Sequence, residues 1–178
     1  MKDYVVTDNL VTPYYADYLE QKFLSANYYY NYNITTYKQD GVYRPGFSHL
    51  ISKDGNSLSH YYETVMALFS LFCGTVNIEP KSILRSSLFL QLPVKIDFHS
   101  SHIHRDTEAD HLVFLYYVTN SEGPTKIYSH TSEYDDEKTV LHTIEPKKGR
   151  CLLFNGKHFH SSSTPERTTR LVLNVDFK

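Results

Sequence analysis

"RCLLFNGKHFHSSSTPERTTRLVLNVDF", residues 150–177, joins two apolar β-type runs through a polar loop of serines, threonines and two histidines. In its last run Arg170, Val172, Asn174 and Asp176 fall on one face, and Leu171, Leu173, Val175 and Phe177 on the other. A lone arginine entering a core among aliphatic residues is costly unless it meets an anion. A bound dicarboxylate would be such an anion, because a guanidinium grips a carboxylate through two parallel hydrogen bonds.

The same kind of run recurs upstream. "SILRSSLFLQL", "HLVFLYYV", "PTKIYSH" and "KTVLHTIE" precede "RCLLFN" and "RLVLNVDF", separated by "NSEGP", "SEYDDE", "EPKKG", "NGK" and "SSSTPE". Short β-type runs at this spacing, with turn chemistry between them, predict an all-β sandwich or barrel. A doubly wound α/β fold would need helices between the strands, and there is no room for them.

Two helices are expected ahead of the strands. "TPYYADYLEQKFLS" opens with Thr12 as an N-cap and Pro13 at the first helical position, so a helix spans about 13–25. "NSLSHYYETVMALFSLFCG" places Tyr62, Val65, Met66, Phe69 and Phe72 on one stripe, with Ser57 or Ser59 as cap and Gly74 as the end. These helices are expected on the outside of the barrel. The tyrosine-rich "NYNITTYKQDGVYRPGFSHL" (31–50) between them is expected to form part of a substrate rim.

At 178 residues, with 40% hydrophobic and 21% charged residues and a formal net charge of -2, the chain has the profile of one soluble domain. Lysine and arginine are scattered rather than striped, so charge gives no support to nucleic-acid binding. No signal peptide is visible in "MKDYVVTDNL", and "VMALFSLFC" (65–73) is too short to span a bilayer. Cys73 and Cys151 lie in apolar contexts, which predicts two buried thiols and a cytoplasmic setting. No Cys/His spacing suggests structural zinc. A monomer or weak homodimer is expected.

The chemistry concentrates in "HSSHIHRDTEADH", residues 99–111. In an extended segment, residues i and i+2 point the same way about 6.6–6.8 Å apart, so His104 and Asp106 can converge on one metal ion. His102 shares their side but would lie about 13 Å from Asp106. A 2-His-1-carboxylate triad, which leaves positions open for substrate and oxygen, needs a further histidine. His158 and His160 are both placed to supply it.

Taken in order, H-x-D, "LVFLYYVTNSEGPT", "IEPKKGRCLLFNGKHFH" and "RLVLNVDF" resemble the 2-oxoglutarate/Fe(II)-dependent oxygenases, in particular small prolyl-4-hydroxylase-like members of the phage and viral type. The resemblance covers roughly residues 83–178. It implies a double-stranded β-helix, or jelly roll, over about 83–178, with helical N-terminal support over about 1–80, in one domain spanning 1–178. It implies Fe(II) held by His104, Asp106 and His160, the last favoured over His158 by its offset from Arg170. Arg170 and Tyr117 would hold the distal carboxylate of the cosubstrate 2-oxoglutarate. The implied reaction consumes O2, releases succinate and CO2, and hydroxylates a C–H bond of a prolyl, other peptidyl or small-molecule substrate. Phage origin would place it in the host cytoplasm.

Other readings compete. His99, His102 and His111 are expected at the surface or at strand ends, Arg167 as a solvated charge, and Arg85 and Gln91 as pocket lining beside Ser87 and Phe89. "PKKGR" reads as a tight turn, since it lacks the glycine-rich frame of a phosphate loop. A two-zinc hydrolase of the H-x-H-x-D-H type needs histidine where Thr107 stands, and helices between the strands. A protein kinase is excluded, because the residues after "HRD" are wrong and no glycine-rich loop or D-F-G exists. A jelly-roll binding protein that kept the ligands but lost turnover is the third possibility.

Overall fold

Period-two alternation organises the molecule. The computed structural model describes residues 4–25, 31–36, 43–95, 103–129 and 139–178; His99, His102 and the "SEYDDE" turn lie outside them. The strands are β1 (Tyr4–Thr7), β2 (Asn31–Thr36), β3 (Tyr43–Lys53), β4 (Asn56–Ser57), β5 (Ile83–Gln91), β6 (Leu112–Tyr117), β7 (Thr125–Tyr128), β8 (Val140–Ile144), β9 (Cys151–Asn155), β10 (His160–Ser162) and β11 (Arg170–Phe177). The helices are α1 (Pro13–Leu24) and α2 (Tyr62–Val76). An eight-stranded major sheet runs β1-β9-β6-β11-β5-β3-β2, with β4 paired to β3, and a minor sheet runs β10-β7-β8. Every pairing is antiparallel.

The major sheet is covered on both faces. Phe114, Tyr116, Cys151, Leu153, Leu171, Leu173, Val175 and Phe177 face the helices, where they meet Leu19, Phe23, Val65, Phe69 and Phe72. Their alternate neighbours Val113, Leu115, Tyr117, Leu152, Phe154 and Val172 face Ile127 and Ile144 of the minor sheet. Burial on both faces explains why these strands read as near-continuous apolar runs. The result is the expected jelly-roll layering, with helices outside. Phe69 and Phe72 fix α2 in place: Phe69 stands 4.8 Å from Phe177 and 5.5 Å from Phe114, and Phe72 4.6 Å from Phe114, centroid to centroid. Such ring pairs each add about 0.5–1.5 kcal/mol beyond area burial.

Several local expectations needed correction. Thr12 does cap α1, accepting from the Tyr15 amide at 3.4 Å. Ser57 does not cap α2; Tyr61 is the N-cap residue and makes no side-chain cap bond, while Ser59 Oγ accepts the Tyr61 amide at 3.2 Å just ahead of the helix. The helix also runs through Gly74 to end at Asn77, which takes the left-handed conformation (φ 54°). Gly74 does not stop it because its position needs no positive φ, and asparagine tolerates one. The N-terminal region is more than helical support, since it adds β1 to β4 to the major sheet. Most of the segment expected as a rim is the β2–β3 hairpin, with β3 pairing along β5. Its Gly46 carries part of the reason: a Cβ there would meet the Leu90 carbonyl oxygen at 2.6 Å, so only glycine lets the strands approach.

Both cysteines are free and buried, and burial pushes their thiols up, Cys73 to about 11 and Cys151 to about 12. Among the described residues no helix is long and apolar enough to cross a membrane.

The start of the chain is tied to the turn before β9 by charge. Arg150 donates to Asp8 through Nε at 2.7 Å and Nη2 at 3.0 Å, and Lys147 adds an Nζ contact at 3.3 Å. The hydrogen bond from Arg150 lowers the Asp8 carboxyl to about 2. A depressed acid stabilises the fold above its unfolded pKa, near 3.8, and loses that contribution as pH falls through about 2. Discounted for partial exposure, Asp8→Asn should cost about 1 kcal/mol at pH 7. Urea denaturation of both proteins across pH should show the difference shrinking below pH 4 and vanishing only below about pH 2.

Candidate functional site

His104 and His160 are brought together by backbone before side chains enter. Each donates its amide N–H to the other's carbonyl at 2.9 Å, forming an isolated antiparallel bridge, and their rings stand 4.6 Å apart. The expected continuous strand through His104 and Asp106 is not formed, because the chain bends at Asp106. Local side-chain bonds favour the bend: Arg105 Nη2 reaches Glu108 at 2.6 Å, and Thr107 Oγ1 accepts from the Ala109 amide at 3.3 Å. Arg105 also lies over the Phe159 ring, at 5.0 Å, so it points away from the histidines.

The bend delivers the carboxylate to the histidine pair. Asp106 Oδ2 lies 3.3 Å from His160 Nε2 and accepts from Asn174 Nδ2 at 3.3 Å, while Oδ1 accepts from Arg85 Nη2 at 2.6 Å. His104, Asp106 and His160 each bring one ligand atom within 4.8 Å of the other two. Burial alone would raise the Asp106 carboxyl. The hydrogen bond and charge of His160, with Arg85 and His104 behind them, outweigh burial and hold it below the usual carboxylate range. Asp176 goes the other way: burial, then the charge of Asp106, push it up to about 7 against the pull of Arg85.

Further along β11 a second polar cluster surrounds Arg170. Its Nη1 donates to Gln91 Oε1 at 2.9 Å, and its Nη2 to Thr125 Oγ1 at 2.9 Å. Tyr117 donates its hydroxyl to the same Thr125 oxygen at 2.8 Å, and the guanidinium carbon lies 5.6 Å from the Tyr117 ring centroid. Gln91 stands opposite Arg170 in the β5–β11 register, and Thr125 opens β7, so the cluster bridges the two sheets. Arg170 is only 4% exposed, and its Nε is buried without a partner. Among the described residues no carboxylate lies within ion-pair distance of it. Burial lowers its pKa, which is the signature of a cation lacking a counter-charge. Burial likewise raises the Tyr117 hydroxyl.

His104, Asp106, His160, Tyr117 and Arg170 thus lie between the two sheets, the first three as one group and the last two as another. His158 stands apart, with Nδ1 3.1 Å from the Tyr128 carbonyl oxygen. Arg167 is exposed and pairs with Glu122 at 3.3 Å. His111 sits at a strand end, one of its two expected places, and is buried, at 5% exposure. Arg85 and Gln91, expected as pocket lining, make specific contacts in both clusters. Four residues escaped notice as parts of the site: Thr125, His111, Asn174 and Asp176. The last two share Arg170's face of β11, which was a usable signal, whereas Thr125 reaches Arg170 only because two sheets pack.

Two imidazoles and one carboxylate are a donor set for a first-row divalent ion such as iron, with coordination positions left open. The two-zinc hydrolase reading fails on the fold, because among the described residues no helix is layered between the β-strands that carry these residues.

No protein-family model matches the sequence, and no curated protein matches it. Solved structures do match the fold. A 2OG-Fe(II) oxygenase family oxidoreductase from Burkholderia pseudomallei superposes with a TM-score of 0.71 at 12% identity, covering 99% of this chain and 85% of that one. A Pseudomonas putida prolyl-4-hydroxylase gives 0.60 at 13% identity over 99% and 92%. The viral collagen prolyl hydroxylase of Paramecium Bursaria Chlorella virus-1, solved as a 2OG complex, gives 0.58 at 13% identity over 99% and 96%. The chain therefore has the fold of the 2OG-Fe(II) oxygenases.

Holding a guanidinium in a core without an anion has a measurable cost. Arg170→Met keeps the length and removes the charge, so the ligand-free variant should be more stable by about 1 kcal/mol, a rise of roughly 2–4 °C in Tm. A fall in Tm on thermal circular dichroism would mean that Gln91 and Thr125 already satisfy the charge.

Proposed function

We propose that this chain, folded as the 2OG-Fe(II) oxygenases are, is a 2-oxoglutarate- and Fe(II)-dependent dioxygenase that hydroxylates a C–H bond of an organic substrate. The observation that carries the reading is the coexistence, between the same two sheets, of a His-Asp-His group and a buried guanidinium with no acid beside it among the described residues. A dicarboxylate would answer the guanidinium at one end and the metal group at the other, since Arg170 and Asn174, the residue that contacts Asp106, lie on one face of β11.

His104, Asp106 and His160 would hold the iron. When bound, the iron and 2-oxoglutarate together supply the oxygen chemistry, yielding succinate and CO2. The protein's own part is positional. The His104–His160 bridge sets the separation of the two imidazoles before any ion arrives. Asn174 and Arg85 orient the Asp106 carboxylate, which its surroundings keep ionised and ready to bind. Arg170 receives the distal carboxylate of the cosubstrate, with Thr125 and Tyr117 completing the donor set around it. The apolar residues between the sheets keep water from the reacting centre.

Prolyl hydroxylases stand among the structural neighbours, so proline-containing peptides are the first substrates to try, followed by small molecules. A binding protein with the same ligands but no turnover would share every feature of the geometry, and the same assay separates the two.

Anaerobic protein given Fe(II) and 2-oxoglutarate should develop the weak visible charge-transfer band of the chelate, and Asp106→Ala should lose it. Admitting air with a substrate should release succinate. Arg170→Met should raise the 2-oxoglutarate KM about thirtyfold, the equivalent of about 2 kcal/mol for a lost charge-assisted pair. Absence of both band and succinate across candidate substrates would sink the oxygenase reading; a band without succinate would favour the binding protein.

A further inference from the structure

Asp106 has a second side. Asp176 stands directly opposite Arg85 in the β11–β5 register, and Arg85 donates to its Oδ2 twice, from Nε at 3.1 Å and Nη2 at 2.8 Å. The same Nη2 reaches Asp106 Oδ1 at 2.6 Å, so one nitrogen bridges two buried carboxylates. Around that bridge Asp106, His111 and Asp176 each bring a ligand atom within 4.8 Å of the other two. Among the described residues this is the second such group, and it shares Asp106 with the first.

Two of its atoms have nothing to bind. His111 Nε2 and Asp176 Oδ1 are buried without hydrogen-bond partners, on residues 5% and 2% exposed. His111 Nδ1 lies 2.7 Å from the Ala109 carbonyl oxygen. A carbonyl only accepts, so Nδ1 carries the proton and Nε2 of the neutral ring keeps a free lone pair. Gly156 makes room for the ring, since a Cβ there would collide with Nε2. A carboxylate shared between two ligand groups is the frame of a two-metal site. Here a guanidinium stands in it.

We propose that Arg85 is a positioning residue that keeps the centre mononuclear. Its guanidinium, clamped by Asp176, takes the place of a second divalent cation among Asp106, His111 and Asp176. It also commits Asp106 to the histidine pair through Oδ2. A guanidinium and a metal ion compete for the same carboxylate lone pairs, and their like charges repel at this range. The proposal rests on the reading above only in taking Asp106 for a ligand of the first ion.

Metal-stripped full-length protein titrated with Mn(II), followed by calorimetry and electron paramagnetic resonance, tests it without turnover. Wild type should take one equivalent. Arg85→Met should take two, with the resonance damped by coupling between neighbouring ions, and Arg85→Met/His111→Gln should return to one. Wild type taking two, or Arg85→Met taking one, would overturn the proposal. Arg85→Gln, which keeps a donor between the acids but no charge, should behave as Arg85→Met does. Where either variant is unfolded without metal, Mn(II) should restore its circular dichroism spectrum by replacing the lost cation, and failure to do so also overturns the proposal. The functional reading fails separately. If wild type binds no ion, or binds one that His160→Ala does not remove, the His-Asp-His group is not the metal site. An extra ion in Arg85→Met would still stand.

Discussion

Strand β11 buries all eight of its residues between the helices and the minor sheet, and that constraint organises everything functional in the chain. Burial is favourable for Leu171, Leu173, Val175 and Phe177, which form part of the helix-side core. For Arg170, Asn174 and Asp176 it is costly, since buried polar groups demand partners, and each of the three still keeps one side-chain atom without one. Each of the three meets the demand differently. Asn174 is answered by Asp106, and Asp176 by Arg85. Arg170 finds only neutral oxygens, on Gln91 and Thr125. One strand thus carries the second contact of the metal group, the clamp behind it and an unanswered cation.

The electrostatics follow from this arrangement. Asp106 and Asp176 share one guanidinium, and their surroundings drive them apart: Asp106 below the ordinary carboxylate range, Asp176 up to about 7. Two acids so close cannot both ionise freely without compensating cations. His160, His104 and Arg85 lie around Asp106, so it is the acid that stays charged. Removing any one partner leaves the others buried and mismatched, and energies within such a network do not add.

Much of this was readable from the residues in order. The alternation of "RLVLNVDF", the turn chemistry between short runs, and the Thr12-Pro13 helix start are local signals, and the structure keeps them. The end of α2 was misjudged because a glycine stops a helix only where a left-handed residue is needed, and here Asn77 supplies it. The β2–β3 hairpin was missed because its pairing with β5 depends on a sheet edge created by residues far away in sequence. The β-type character of "NYNITT" alone did not reveal that edge.

The candidate site divides along the same line. Residue type and spacing singled out His104, Asp106 and Arg170 and left His158 and His160 both open, because a metal group and a buried cation demand scarce side chains at definite intervals; the family resemblance chose His160 and added Tyr117. Those demands are local in sequence, or follow from the two-residue period of a strand. Which acid Arg85 would meet, that Thr125 would reach Arg170 from another sheet, and that His111 would be buried beside Asp176 had no local signal. They depend on register between strands and on packing between sheets, where residues distant in the chain become neighbours and the cost of burial selects their partners.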